Sequence, residues 1–179
     1  MPPEFGRPEF SRPFPVERVA STGTELTIEA DAEERAALAR RFAIPAVHAL
    51  TATFVASPWR GGGVQVRGEF AAEVEVVSVI SLEPFTTEVG EPVVRYFQAE
   101  TGPGHKPAVL GVESLEDEEP DVVSGGAIDL GEIAAESLAL ALDPYPRKPG
   151  EVFEDAAEEP ADDSQPESPF AVLSRLRKP

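Results

Sequence analysis

A long alternation of apolar and polar residues between Val64 and Phe85 constrains the fold more than any other feature of the chain. Apolar or small residues recur at every second position over residues 64–76, with mainly glutamates and other polar residues between them. A period of two is typical of a β-strand that buries one face and exposes the other. The run is long for one flat strand, and Gly68 offers a bulge or bend. We therefore expect a strongly bent strand, or two nearly collinear strands, ending at Pro84.

Shorter patterns before and after this run predict further strands. Apolar residues alternate over residues 25–30, and β-branched residues are frequent over residues 46–56. Another strand is expected over residues 93–99, after a turn at residues 86–90. The glycine- and proline-containing stretch at residues 58–63 predicts a loop or hairpin turn that leads into the long run.

Two pairs of acidic residues predict the starts of helices. An aspartate followed three residues later by a glutamate can satisfy two backbone amides at the beginning of a helix. The pairs are Asp31 with Glu34, and Asp129 with Glu132, and they predict helices over residues 32–42 and 130–142. The second helix has a wide apolar face, so we expect it to lie on the sheet.

The order of these elements predicts an α+β fold, with a bent antiparallel β-sheet, partly barrel-like, packed by two helices. Composition predicts the organisation of the chain around this domain. We expect a flexible proline-rich arm over residues 1–13 and a single domain over residues 14–148, with an acidic loop at 112–123. A disordered acidic linker over residues 149–168 and a short basic amphipathic helix over residues 169–179 would follow.

The charge of the chain limits its partners. The 179 residues include 33 acidic and 15 basic residues, for a net charge of −18. Naked nucleic acid would be repelled, so we expect no DNA partner and favour a basic protein or a mixed RNA–protein surface. The alternative is that the acidity serves solubility alone. Since the N-terminal residues contain no apolar core of signal-peptide length and no run approaches about 18 apolar residues, we expect a cytoplasmic protein without a membrane partner.

The sequence lacks the motifs that usually carry catalysis. There is no cysteine, and the two histidines, His48 and His105, are not spaced as metal ligands. Phosphate-binding loops and nucleophile elbows are also absent from the sequence. We therefore expect a protein that is not an enzyme and that needs no cofactor. A metal-dependent hydrolase or nuclease that uses carboxylates is the alternative in the enzyme class.

Three separated segments carry a resemblance to one known family. They are Ser78-Val-Ile-Ser-Leu-Glu-Pro-Phe85, the segment from Asp129 through the Asp-Pro-Tyr-Pro-Arg sequence to Gly150, and Ser168-Pro-Phe-Ala-Val-Leu173. Together they resemble the bacterial YceD family, the large ribosomal RNA subunit accumulation proteins, over residues 14–176. Many members carry two cysteines where this chain has Ser78 and Ser81. Thiol chemistry at those cysteines would therefore not be possible in this chain, because a hydroxyl replaces each thiol.

The resemblance implies a role in producing or accumulating the ribosomal RNA of the large subunit, with no established catalytic activity. It implies as partner a precursor of the large ribosomal subunit, through its RNA or a basic ribosomal protein. A protein-interaction module unrelated to ribosomes is the alternative. The basic tail helix either packs on its own domain or contacts a partner, and we favour the partner. The candidate partner-binding residues are Pro144, Tyr145, Pro146, Arg147, Lys148, Phe170, Leu173, Arg175 and Arg177.

Overall fold

The computed structural model describes residues 8–99, 120–123 and 125–152. The chain divides into two compact units, residues 1–148 and 149–179, and the helices and strands described here lie in the first. In chain order these are β1 (Pro13–Pro15), β2 (Thr24–Glu29), α1 (Ala32–Phe42), β3 (Ala46–Trp59), β4 (Gly63–Val77), β5 (Pro84–Ala99), β6 (Asp121–Val123), β7 (Ala127–Asp129) and α2 (Leu130–Ala141).

The strands form one five-stranded sheet and one separate pair. The large sheet has the order β2-β3-β4-β5-β6, and its neighbours run antiparallel except for β5 and β6, which run parallel. β1 pairs antiparallel with β7. The predicted α+β class is confirmed, with a mainly antiparallel sheet packed by two helices. The large sheet does not close into a barrel: among the described strands, the short edge strands β2 and β6 do not pair with each other.

The hydrophobic core lies on one face of the large sheet. Alternate side chains of β3 and β4, among them Phe54 and Val66, are fully buried there. Leu38 of α1 and Leu138 of α2 are also fully buried and belong to the same cluster. Each such leucine contributes about 2 kcal/mol through the apolar surface removed from water. The predicted placement of the second helix on the sheet is therefore confirmed.

The long alternating run does not continue as one strand. β4 ends at Val77, a turn occupies residues 78–83, and β5 begins at Pro84 and returns antiparallel along β4. The backbone amide of Ser78 donates to the carbonyl of Glu83 at 2.9 Å, which closes the turn. The prediction of a bent strand or two collinear strands was wrong here, because alternation alone does not reveal a reversal of direction.

β5 is longer than the sequence predicted. The expected turn at residues 86–90 lies within this strand, which pairs with β4 from Pro84 to Phe97. Gly90 and Pro92 masked the strand pattern, since both residues are rare inside strands. A proline is tolerated where its nitrogen points away from the neighbouring strand, which is the situation of a strand with a free edge.

Gly68 marks a close approach of two backbones and not the bulge that the sequence suggested. The register between β3 and β4 runs without a shift from Ala49 to Trp59, with Gly68 opposite Phe54. A Cβ atom on residue 68 would collide with the carbonyl oxygen of Thr53. The irregularity in this pair of strands lies instead between Val47 and Ala49. Glycine is therefore needed at position 68 for space.

Replacing Gly68 by alanine tests this close contact. We expect Gly68→Ala to lower the free energy of unfolding by about 2 kcal/mol, because the added methyl group forces β3 and β4 apart. Urea denaturation of the purified protein measures the change. The control is Glu69→Ala at the next, exposed position, which should change the free energy by less than about 0.5 kcal/mol. Equal stability of Gly68→Ala and the wild type would contradict the contact.

Both helices begin at the aspartates that the sequence indicated. Asp31 accepts hydrogen bonds from the amides of Glu33 and Glu34, and the Glu34 carboxylate accepts from the amide of Asp31, so the predicted capping box is formed. Asp129 caps α2 by accepting from the amides of residues 131 and 132. The carboxylate of Glu132 instead accepts two hydrogen bonds from Arg41 of α1, which ties the two helices together.

The end of the proline-rich arm is part of the packed domain. Phe10 is fully buried, and the guanidinium of Arg12 binds both carboxylate oxygens of Glu34 at 2.6 and 2.8 Å. Ser11 and the amide of Arg12 donate to the carboxylate of Asp129. A flexible arm over residues 1–13 was therefore the wrong expectation for residues 8–13, because these contacts come from distant parts of the chain. Residues 1–7 lie outside the described residues.

The contact between Arg12 and Glu34 predicts a pH dependence of stability. Hydrogen bonds from Arg12 hold the pKa of Glu34 below its usual value. The stabilisation is therefore present above the unfolded-state pKa of about 4.3 and is lost as the pH falls through the lower folded-state pKa. We expect Arg12→Gln to lower the free energy of unfolding by about 1 kcal/mol at neutral pH. The difference from the wild type should shrink below a pH of about 4.

Chemical denaturation at a series of pH values measures this dependence. The control is Arg40→Gln, which removes the charge of an exposed arginine on α1, the helix that carries Glu34. A difference between Arg12→Gln and the wild type that stays constant into the acidic range would contradict the role assigned to Glu34.

Part of the predicted acidic loop is a strand. Asp121–Val123 form β6 and pair parallel with residues 97–99 of β5, while residues 112–119 lie outside the described residues. The side chain of Asp121 accepts two hydrogen bonds from Arg95, which neutralises one of the acids there. Of the predicted linker, residues 149–152 are described, and the predicted tail helix over residues 169–179 lies outside the described part. Neither described helix is long and apolar enough to cross a membrane.

Candidate functional site

The turn between β4 and β5 is built around Ser78. This side chain is fully buried, and its Oγ accepts hydrogen bonds from the amides of Ile80 and Ser81 at 3.1 and 3.4 Å. The carbonyl of Ser78 accepts from the amide of Leu82 at 3.0 Å. Leu82 has a φ of 61°, which is unusual for a residue other than glycine. One small hydroxyl thus holds a turn that directs the Leu82 side chain outward, where it is 75% exposed.

The chain leaves α2 through a second ordered segment that lies beside this turn. The Asp143 carboxylate accepts a hydrogen bond from the amide of Tyr145 at 2.8 Å, and the carbonyl of Pro146 accepts from the amide of Val79 at 2.9 Å. The prolines at positions 144 and 146 restrict the backbone further. Tyr145 is held between them with 70% of its surface exposed. The exit segment is therefore fixed to the turn by backbone contacts, while its aromatic side chain points to solvent.

Charged side chains add a second connection between the two segments. The ammonium of Lys148 lies 3.3 Å from a carboxylate oxygen of Glu83. Both side chains are substantially exposed, so the ion pair contributes at most about 1 kcal/mol. Arg147 is exposed next to it. We call residues 78–83 and 143–148 together the turn–exit surface.

The turn–exit surface combines exposed apolar groups with cations. Val79 is 44% exposed, and together with Leu82 and Tyr145 it presents apolar side chains to solvent. Exposed apolar residues that lie near one another are typical of contact sites, and tyrosine is enriched among residues that contribute most to binding. A groove of about 480 Å³ runs alongside. Its apolar lining includes Phe42, Ile44, Pro45, Val77, Leu142 and Pro146.

The structure brings together one group of the candidate residues. Pro144 through Lys148 lie on the turn–exit surface, with Pro146 half-buried and the others exposed. The remaining candidates, Phe170, Leu173, Arg175 and Arg177, lie outside the described residues. Sequence reasoning missed Val79 and Leu82 as contact residues, because the alternating pattern extended the strand through them. The available signal was the serine at position 78 followed by a proline six residues later, which is compatible with a turn.

The acidic and imidazole side chains do not form a cluster of metal-ligand type in the described part of the chain. No group of three or more such side chains is placed to hold a metal ion there. His48 is exposed at the irregularity in β3, with its Nε2 3.5 Å from a carboxylate oxygen of Glu75. Position 48 is exposed because the irregularity interrupts the alternation of buried residues along β3.

The role of Ser78 in the turn can be tested by removing its hydroxyl. We expect Ser78→Ala to lower the free energy of unfolding by about 1–3 kcal/mol, because two amides lose their acceptor in a buried site. The control is Ser81→Ala, since the Ser81 hydroxyl accepts one long hydrogen bond at 3.4 Å from an exposed amide. Urea denaturation measures both variants. Similar losses of stability in the two variants would contradict the special position of Ser78.

The described fold and surface define a class of protein: a small α+β domain that exposes the turn between β4 and β5 and the segment after α2 as one surface of apolar and charged side chains. A family profile described as large ribosomal RNA subunit accumulation protein YceD matches residues 66–177, which is more than half of the chain. The chain therefore belongs to the YceD family. No curated protein and no solved structure matches it. The matched segment begins in β4 and contains the whole turn–exit surface.

Proposed function

We propose that this protein is a non-enzymatic factor of ribosome biogenesis that acts in the cytoplasm. It supports the accumulation of large-subunit ribosomal RNA by binding a precursor of the large subunit, through a basic ribosomal protein or RNA. The description of the family supports the process. The observation that carries the binding role is the exposed turn–exit surface within the family segment, with Leu82 and Tyr145 presented to solvent.

The rigidity of this surface supports a binding role. The turn is held from inside by Ser78, and the exit is held to the turn by the hydrogen bond between Val79 and Pro146. A backbone that is already held in place loses little conformational entropy when a partner covers it. The groove beside the surface adds apolar area that a partner can bury.

The charges favour a partner with basic groups at its contact surface. A net charge of −18 repels bare RNA over most of the protein, whereas on the turn–exit surface the two cations Arg147 and Lys148 balance the two exposed acids Glu83 and Asp143. A ribosomal precursor offers both RNA phosphates and basic proteins. The acidic domain is attracted to the basic protein component, and the cations of the exit tolerate nearby phosphates.

Replacement of the exposed tyrosine tests the proposal. We expect Tyr145→Ala to reduce association with large-subunit precursors by about tenfold, because a central aromatic contact is worth about 1–2 kcal/mol or more. Thermal stability should stay unchanged, since Tyr145 is 70% exposed. Co-purification of the protein from cell lysate, with and without ribonuclease, measures the association and distinguishes RNA-dependent from protein-mediated binding.

The matched control is Val122→Ala, which removes an exposed apolar side chain from β6. β6 pairs with the last residues of β5, at the opposite end of that strand from the turn. This variant should bind precursors like the wild type. Unchanged association of Tyr145→Ala, or an equal loss in both variants, would contradict the assignment of the turn–exit surface.

A further inference from the structure

β5 has an edge that the other described strands leave largely open. The strand pairs with β4 along almost its whole length on one side. On the other side β6 pairs only with residues 97–99. Among the described residues, the backbone from Pro84 to Tyr96 therefore has no strand partner on that side. Unpaired amides and carbonyls of an edge strand are a template for a further strand.

The two prolines of β5 show which backbone groups point away from the sheet. Pro84 and Pro92 are both in register with residues of β4, and a proline fits such a position where its nitrogen faces outward. Both have even numbers, and the orientation of backbone groups alternates along a strand. The amides of Thr86, Glu88 and Gly90 therefore also face outward. Pro84 and Pro92 have no amide hydrogen, so they bound the row of amides that face outward. We call the backbone between them, residues 85–91, the open window of β5.

The surroundings of this window are acidic on both faces of the sheet. Glu88 and Glu91 are exposed, and their side chains alternate between the two faces of β5. A groove of about 300 Å³ lies along the window and is closed on its far side by the end of α2 and the exit segment, including Asp143. A strand that enters the window thus meets carboxylates on both of its own faces.

We propose that residues 85–91 bind an extended, lysine- and arginine-rich protein segment, which adds to the sheet as a strand beside β5. The backbone of the segment pairs with the outward amides and carbonyls, and its cations lie near Glu88, Glu91 and Asp143. This assignment deepens the proposed function, on which it rests, by identifying the basic component of the ribosomal precursor as an extended segment. The same carboxylates repel RNA phosphates and a second copy of β5, since like charges would then face each other.

Binding of a synthetic peptide to the purified full-length chain tests the proposal. The probe is a short peptide that alternates lysine with valine or threonine, and the reference peptide has glutamate in place of lysine. We expect the lysine peptide to bind, to protect the amides of Thr86, Glu88 and Gly90 from hydrogen exchange, and to bind more weakly as salt increases. The glutamate peptide should not bind.

Two variants distinguish the edge from general acidity. Glu88→Pro removes an outward amide and a charge without affecting the pairing with β4, and it should lower the affinity for the lysine peptide by about tenfold. The double variant Glu88→Gln with Glu91→Gln should lower the affinity by about threefold or more, and it tests the site even if the proline variant does not fold. Its control, Glu25→Gln with Glu29→Gln, removes two exposed charges from the opposite edge strand and should bind like the wild type.

Several results would overturn the assignment. These are no binding of the lysine peptide, equal losses in the Glu88 and Glu25 double variants, or amide protection elsewhere in the chain. A further test is whether a short single-stranded RNA displaces the peptide from the wild type and binds the Glu88→Pro variant more weakly. That result would assign the edge to RNA instead. A dimer in analytical ultracentrifugation that Glu88→Pro abolishes would assign it to a second copy. This assay contains no ribosomal precursor. A failure of the peptide to bind the edge of β5 would therefore leave the proposed function, which the Tyr145→Ala variant tests, unaffected.

Discussion

The antiparallel pairing of β4 with both of its neighbours is the interaction on which the rest of the structure depends. β4 pairs with β3 and β5 over almost its full length. Its inward side chains, such as Val66 and Val74, form the floor on which the helices pack. The absence of a side chain at Gly68 allows β3 to approach closely at the middle of this ladder. The ends of β4 then fix the positions of the two turns that begin and end it.

Long-range contacts of arginine connect the elements of the domain to one another. Arg12 joins the N-terminal segment to α1 through Glu34, Arg41 joins α1 to α2 through Glu132, and Arg95 of β5 contacts Asp121 of β6. In a chain with a net charge of −18, each of these contacts reduces local repulsion between acids as well as adding a hydrogen bond. The acidic composition and the compact packing are therefore compatible because cations lie between the elements that would otherwise repel each other.

Local sequence signals predicted the helices well and the connections between strands poorly. α1 spans the predicted residues because Asp31 and Glu34 act on amides within one turn of themselves. β5 was missed in part because Gly90 and Pro92 interrupt its own sequence pattern, so that it is recognised as one continuous strand only through its pairing with β4. The burial of Phe10 depends on the whole assembled domain. The proline-rich sequence around it therefore did not predict that it is buried.

The candidate site was predicted in the same uneven way. The segment from Pro144 to Lys148 was identified through its resemblance to a family, and its exposure agrees with a contact role. Its neighbour across the surface, the turn at Leu82, was not identified, because a left-handed conformation at a leucine has no sequence signature. The hydrogen bond between Val79 and Pro146 joins residues that are distant in the sequence and appears only once β4 and α2 are packed.

The position of the turn–exit surface follows from the topology of the sheet. The turn between β4 and β5 and the end of α2 meet because α2 lies on these two strands. The open window of β5 begins at the same turn, so one end of the domain carries the apolar surface, the cations of the exit and the strand edge that has no partner among the described strands. A partner with a basic extended segment can therefore contact the edge and the turn–exit surface at once. Once one contact has formed, the partner is held close to the second site, so its effective concentration there is high. Two individually weak contacts can then give a stable association.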